Sequence, residues 1–255
     1  MYARQVIIRR LAILFFIPSL VFATDIPGST SSGIEQFTNA YEAWDGKGFA
    51  AAAATFAKAP EDATSAYWRG TAEFHSMLYF LGEPDNASNR QAAKQALECT
   101  IEALQQAIKL NPKDGESHAL LGTAYGLSIA DSPGRALWLG PRLMKAAELA
   151  HTLNPESPRV WYLDGMSRFY GPALLGGKSE ALRQLLAAEK LFAAEAGKPP
   201  VPGEPRWGRS SCLVYIGRTY DALDKPAEAH AYYRKALQVN SNDRLAKVEL
   251  DKRKK

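Results

Sequence analysis

Apolar residues recur at three- and four-residue intervals along much of the chain, the period of a helix with one buried face. Two such stretches end the same way. Ala103-Leu-Gln-Gln-Ala-Ile-Lys-Leu110 runs into Asn111-Pro112, and Met144-Lys-Ala-Ala-Glu-Leu-Ala-His-Thr-Leu153 runs into Asn154-Pro155. Proline lacks an N–H and clashes with the preceding turn, so each pattern predicts a helix stopped at that point. A second helical stretch follows each stop, with a small residue where two helices would cross. These are His118-Ala-Leu-Leu-Gly122-Thr-Ala-Tyr125 and Trp161-Tyr-Leu-Asp-Gly165. Near the C-terminus, Leu213-Val-Tyr-Ile-Gly217-Arg-Thr-Tyr220 repeats the arrangement, with Ala229, Tyr233 and Ala236 following Gly217 at offsets of 12, 16 and 19.

Composition supports an all-α reading. The 255 residues include 69 Ala and Leu against 27 Val, Ile and Thr, so intrinsic propensity favours helix over strand. With 46% hydrophobic and 23% charged residues, the chain is able to bury a sizeable core. Its 19 Gly and 15 Pro are scattered at apparent turns, which excludes collagen-like and low-complexity organisation.

The offsets after Gly217 resemble the tetratricopeptide repeat, a helix-turn-helix unit of about 34 residues that stacks into a solenoid. Small residues at its eighth and twentieth positions let two helices approach, and a large residue at the twenty-fourth fills the space beside them. The last unit, about Ser210 to Asp243, fits without insertion. Upstream, Gly70, Gly122, Gly165 and Gly217 are 52, 43 and 52 residues apart, so extra residues are expected in between. The turn-rich segments Gly82–Asn86, Asp131–Gly134, Gly140-Pro141, Gly171–Gly177 and Gly197–Pro205 would hold them. A degenerate opening unit, roughly Gly33 to Pro60, carries Ala52, Phe56 and Ala59 in the family's spacing. The resemblance therefore implies a right-handed, all-α solenoid of about five units over residues 33–255. There is a weaker similarity to accessory proteins of tripartite ATP-independent periplasmic transporters, from which this chain differs in lacking their lipidated cysteine.

Residues 1–23 read as a secretory signal peptide: Arg4, Arg9 and Arg10, then apolar Leu11–Ile17, then Val21-Phe-Ala23. Residues 24–32 would form a flexible lead-in. The mature protein is expected to be periplasmic or secreted, with no integral membrane segment. Cleavage leaves 28 basic against 27 acidic residues, a balance that gives no general attraction for nucleic acid or an anionic membrane. Cys99 and Cys212 fall in different units of the repeat, too far apart to pair.

No catalytic, cofactor or metal constellation emerges. Gly171-Pro-Ala-Leu-Leu-Gly-Gly-Lys-Ser179 only superficially resembles a phosphate loop, because Pro172 stands where glycine is required. His75, His118, His151 and His230 share no ligand spacing, and His118 sits at a packing position. What the family resemblance does imply is a concave surface lined by the first helix of each unit. Its inward positions carry Tyr67, Phe74, Arg159, Tyr162, Met166, Phe169, Tyr170 and Arg218. These side chains either line an aromatic groove or are buried by insertions folding back over them. Trp207, in Pro205-Arg-Trp-Gly208, has the same two readings, a contact point or a closure of the core. The groove would serve a non-enzymatic scaffold that binds a protein or peptide, with Arg159 and Arg218 orienting an acidic or carbonyl group. The alternative is a small organic ligand, held by an accessory component of an envelope transport system.

Overall fold

Each amphipathic stretch folds as a helix, and neighbours in sequence pair as hairpins. The computed structural model describes residues 27–171 and 177–252. Its helices are α1 (Gly28–Ala43), α2 (Gly46–Ala57), α3 (Ala63–Leu81), α4 (Ala87–Leu110), α5 (Gly115–Asp131), α6 (Ala136–Leu153), α7 (Pro158–Tyr170), α8 (Gly177–Ala196), α9 (Arg209–Asp221), α10 (Pro226–Val239) and α11 (Arg244–Asp251). The pairs α1/α2, α3/α4, α5/α6, α7/α8 and α9/α10 form five units, and α11 covers the end of the last. Polar caps fix several starts: Asp62, Asn86, Asp114, Ser157 and Asp243 each accept a backbone N–H from the first turn that follows. The expected leader over residues 1–23 lies outside the described residues. The lead-in does not extend to residue 32, because α1 begins at Gly28 and Thr30 Oγ1 hydrogen-bonds buried Ser65 Oγ at 2.8 Å.

The glycines lie where the spacing put them, at the seam of each hairpin. A Cβ on Gly70 would meet Leu104 Cγ at 2.7 Å, one on Gly165 would meet Leu185 Cγ at 2.6 Å, and one on Gly217 would meet Tyr233 Cε1 at 2.5 Å. Gly33 repeats the contact in the opening unit, 2.6 Å from Phe56 Cε1. The α5/α6 seam is looser, with Ala146 Cβ at 3.4 Å from the Cβ position of Gly122. In four of the five units the absence of a side chain thus brings the first helix against a large residue of its partner.

The extra residues enter differently from the expectation that turns hold them. In the second unit they lengthen the helices: α3 has 19 residues and α4 has 24, against 13 and 14 for α9 and α10. Gly140-Pro141 is not a turn, because α6 runs through it after a 3-10 turn at Pro133–Arg135. The carbonyl that Pro141 leaves unbonded belongs to Leu137, which is 86% exposed and free to bind water. The last insertion, 197–208, crosses between α8 and α9 without helical structure.

The two ends of the stack meet. Tyr41 Oη hydrogen-bonds Ser211 Oγ at 2.9 Å and accepts the Gly208 N–H at 3.1 Å. Asn240 Nδ2 donates to the Glu42 carbonyl at 3.3 Å, and Arg244 pairs with Glu83 at 2.5 Å. The first two units thus touch the last.

Candidate functional site

The first helices bring the expected lining residues to one side of the stack, and the segment 197–208 closes over them. Trp207, at the end of this strap, is 3% exposed. Its indole N–H donates to Tyr67 Oη at 3.1 Å, and its ring stands edge-on to His75 at 5.0 Å and to Tyr162 at 6.4 Å. Trp68 Nε1 donates to the Gly203 carbonyl at 3.0 Å, and Arg206 donates to the carbonyls of Glu195 and Pro199, both at 2.7 Å. One indole plugs the concavity while indole, guanidinium and backbone groups pin the strap above it.

The consequence for the expected groove is a correction. Tyr67, Phe74, Arg159, Tyr162 and Met166 are all buried in the interior, so they do not form an open lining. The filling is aromatic: Phe37, Tyr41, Phe49, Phe74 and Trp207 all have ring centroids within 5.6 Å of the His75 imidazole. Burial lowers the His75 pKa to about 4, against the weaker upward pull of its bond to the Thr71 carbonyl. His118, as expected of a packing position, is buried and bonds the Pro112 carbonyl through Nε2 at 3.1 Å.

The two arginines assigned to ligand recognition are already engaged. Arg159 Nε donates to Glu116 at 2.8 Å and its Nη2 to Glu195 at 2.5 Å, while Nη1 reaches the Trp207 carbonyl at 3.3 Å. Tyr67 Oη and Ser157 Oγ donate to the same Glu116 at 3.0 and 2.6 Å. Burial opposes the Arg159 charge, yet the two carboxylates outweigh it and hold the guanidinium protonated. Arg218 pairs with Glu249 on α11 at 2.7 Å and stands 5.5 Å from the Tyr215 ring.

Three expected residues keep access to solvent. Tyr170 is 64% exposed, and Phe169 and Arg218 are half-buried. They gather around Tyr215, which the sequence reading missed as a site residue. Tyr170 Oη hydrogen-bonds Tyr215 Oη at 3.2 Å, and Phe169 stands edge-on to Tyr170 at 5.0 Å and to Tyr215 at 5.9 Å. Lys178 Nζ lies 3.8 Å from the Phe169 ring centroid and donates to its carbonyl. Burial first, then the adjoining Tyr170, raises the Tyr215 pKa and keeps its phenol neutral. Such a surface offers apolar area, hydroxyls and cations, but no nucleophile beside a base. Among the described residues, no group of three or more His, Cys, Asp or Glu is placed to hold a metal ion. Cys99 and Cys212 are both free thiols. The phosphate-loop-like turn lies partly outside the described residues, while Gly177 opens α8 with φ of 60°.

The stacked hairpins define the class, an α-solenoid of paired helices with a glycine at each seam. The tetratricopeptide repeat matches the sequence over residues 212–243, and the described residues have an all-α, tetratricopeptide-repeat-like fold. In fold it is similar to the HusA haemophore from Porphyromonas gingivalis, with 21% identity and a TM-score of 0.60, over 79% of this chain and 96% of that one. It is likewise similar to TTC0263, a thermophilic TPR protein in Thermus thermophilus, with 17% identity and a TM-score of 0.57, over 85% and 96% of the two chains. No curated protein matches its sequence.

Proposed function

We propose that this protein is an exported, non-enzymatic adaptor that binds a protein or peptide through the aromatic rim Phe169, Tyr170, Tyr215 and Arg218. The fold is that of an interaction scaffold. The observation that carries the reading is the exposure of Tyr170 on a braced aromatic cluster. A large ring held still loses little entropy on binding, and aromatics beside arginine are the residues that anchor interfaces. With the concavity plugged, this rim keeps solvent access among the expected lining residues. Export, to the periplasm or beyond the cell, is supported by the sequence of residues 1–23.

The test is a photo-crosslinking amino acid placed at Tyr170 and, as a control, at buried Tyr162, in cells that make the protein. A discrete partner crosslinked from position 170, and weakened by Phe169→Ala, is the expected result. No adduct, or equal adducts from both positions, overturns the proposal.

A second reading, capture of a small organic ligand, draws support from the likeness in fold to a haemophore. A planar ligand would have to displace Trp207 from the concavity. Haem titration followed by absorbance, with thermal melting against a metabolite panel, separates the two. A saturable spectrum or a raised midpoint favours the small ligand.

A further inference from the structure

The corner between α5 and α6 carries a surface that the repeat does not use. α6 seats on α5 through Leu143 and Ala146, which meet the Cβ positions of Gly126 and Gly122 at 3.4 Å. The start of α6 buries Leu139 but leaves other large apolar side chains in solvent. Leu137 is 86% exposed, Met144 58% and Trp138 54%, and Pro141 is exposed between them. Leu137, Pro141 and Met144 follow one another at intervals of four and three, so they form a single row along the helix. Trp138, Arg142 and Lys145 repeat the same intervals one residue later and form the adjoining row.

Charge is one-sided here although the chain as a whole is nearly balanced. Between Asp131 and Glu148 the sequence has Arg135, Arg142 and Lys145 and no acidic residue. Arg135 donates to Ser128 Oγ at 2.6 Å, whereas no acidic side chain among the described residues pairs with Arg142 or Lys145. A protruding apolar row, with an indole and two uncompensated cations along its flank, matches the interface of a lipid bilayer. There acyl chains meet anionic headgroups, and Trp, Lys and Arg are favoured. A second copy of the chain fits poorly, because a two-fold contact would set Arg142 and Lys145 against their own counterparts.

We propose that this corner docks the protein on an anionic lipid surface, with Leu137 and Trp138 entering the headgroup boundary and Arg142 and Lys145 facing lipid phosphates. The test is co-sedimentation of the full chain with phosphatidylglycerol/phosphatidylcholine vesicles and with pure phosphatidylcholine vesicles. The wild type is compared with Leu137→Ser/Trp138→Ser and with Arg142→Glu/Lys145→Glu. Any leader contribution is common to all three proteins, and all four positions lie at the surface, so melting midpoints should agree. Each cation near such a surface contributes a factor of about five to partition, so the charge variant should bind the anionic vesicles at least tenfold more weakly. The serine variant should fall by a similar factor, and added salt should release the wild type. Equal sedimentation of the three proteins, or equal binding of the wild type to both vesicle types, overturns the proposal. So does a wild type that ignores vesicles while its corner crosslinks to an acidic protein.

Discussion

Replacing Trp207 by Ala tests whether the strap is part of the core. The side chain is 3% exposed and packs against His75 and Tyr162, so its loss removes a large apolar payload and leaves a cavity. Such truncations cost about 3–5 kcal/mol. The lost bond from Nε1 to Tyr67 adds little, because the Tyr67 hydroxyl keeps Glu116 as its acceptor. For a chain of this size about 1 kcal/mol lowers the midpoint by roughly 2–4 °C, so Trp207→Ala should melt about 10 °C below the wild type by circular dichroism. Limited trypsin digestion supplies the local readout. The bond after Arg206 is pinned in the wild type by that residue's contacts with Glu195 and Pro199, and should become the first site cut in the variant. Trp207→Phe, which keeps most of the volume, should lie between the two. A Trp207→Ala protein within about 1 kcal/mol of wild type, with no new cleavage after Arg206, would refute the reasoning and reopen the concavity as a groove.

Three further outcomes follow from the same geometry. Arg159→Met should destabilise by about 3–5 kcal/mol, because it leaves Glu116 and Glu195 buried without their cation; adding Glu116→Gln and Glu195→Gln should recover most of the loss in urea titrations. Gly165→Ala and Gly217→Ala should each cost about 1–3 kcal/mol, since the new methyl would strike Leu185 or a Tyr233 ring tied to Asp221, whereas Gly122→Ala, in ordinary contact with Ala146, should be neutral or stabilising. His75 should make stability fall with acid. Its neutral form is favoured in the fold, so the contribution is complete above about pH 6.5 and is lost as pH falls toward the folded value of about 4. The full effect is about 3 kcal/mol, and a His75→Phe variant whose melting midpoint keeps the same slope across that window would contradict it.

The units were readable because their determinants are local. Gly70, Gly122, Gly165 and Gly217 mark the seams by sterics that any stacked hairpin must satisfy, and Asn111-Pro112 and Asn154-Pro155 end α4 and α6 by backbone chemistry alone. The strap was not readable in the same way. Gly197-Lys-Pro-Pro-Val-Pro-Gly-Glu-Pro205 has the composition of a solvated linker, and Trp207 alone hinted that it returns to the core. Pro141 misled for a related reason. Whether proline breaks a helix depends on whether the orphaned carbonyl can reach water, which is a tertiary property. The arginines show the same limit, because position identifies a residue that faces inward but says nothing about Glu116, Glu195 or Glu249 meeting it there.

An open solenoid keeps its concave face free because its ends never meet, and each unit then touches only its neighbours. Here Tyr41, Asn240 and Arg244 join the opening units to the closing ones, and the strap fills what they enclose. The side chains that would grip a ligand in an open stack have been spent on the interior. Tyr67 bonds Trp207 and Glu116, Tyr162 packs on Phe192, and Arg159 joins α5, α7 and α8 to the strap. Exposed aromatic and apolar side chains remain elsewhere: at the end of α7, where Tyr170 emerges beside Tyr215 of α9, and at the head of α6, where Leu137 and Trp138 face solvent. The first lies on two first helices of the stack, whereas the second begins where extra residues enter after α5. Two proteins with the same stack can therefore share a fold without sharing a binding face.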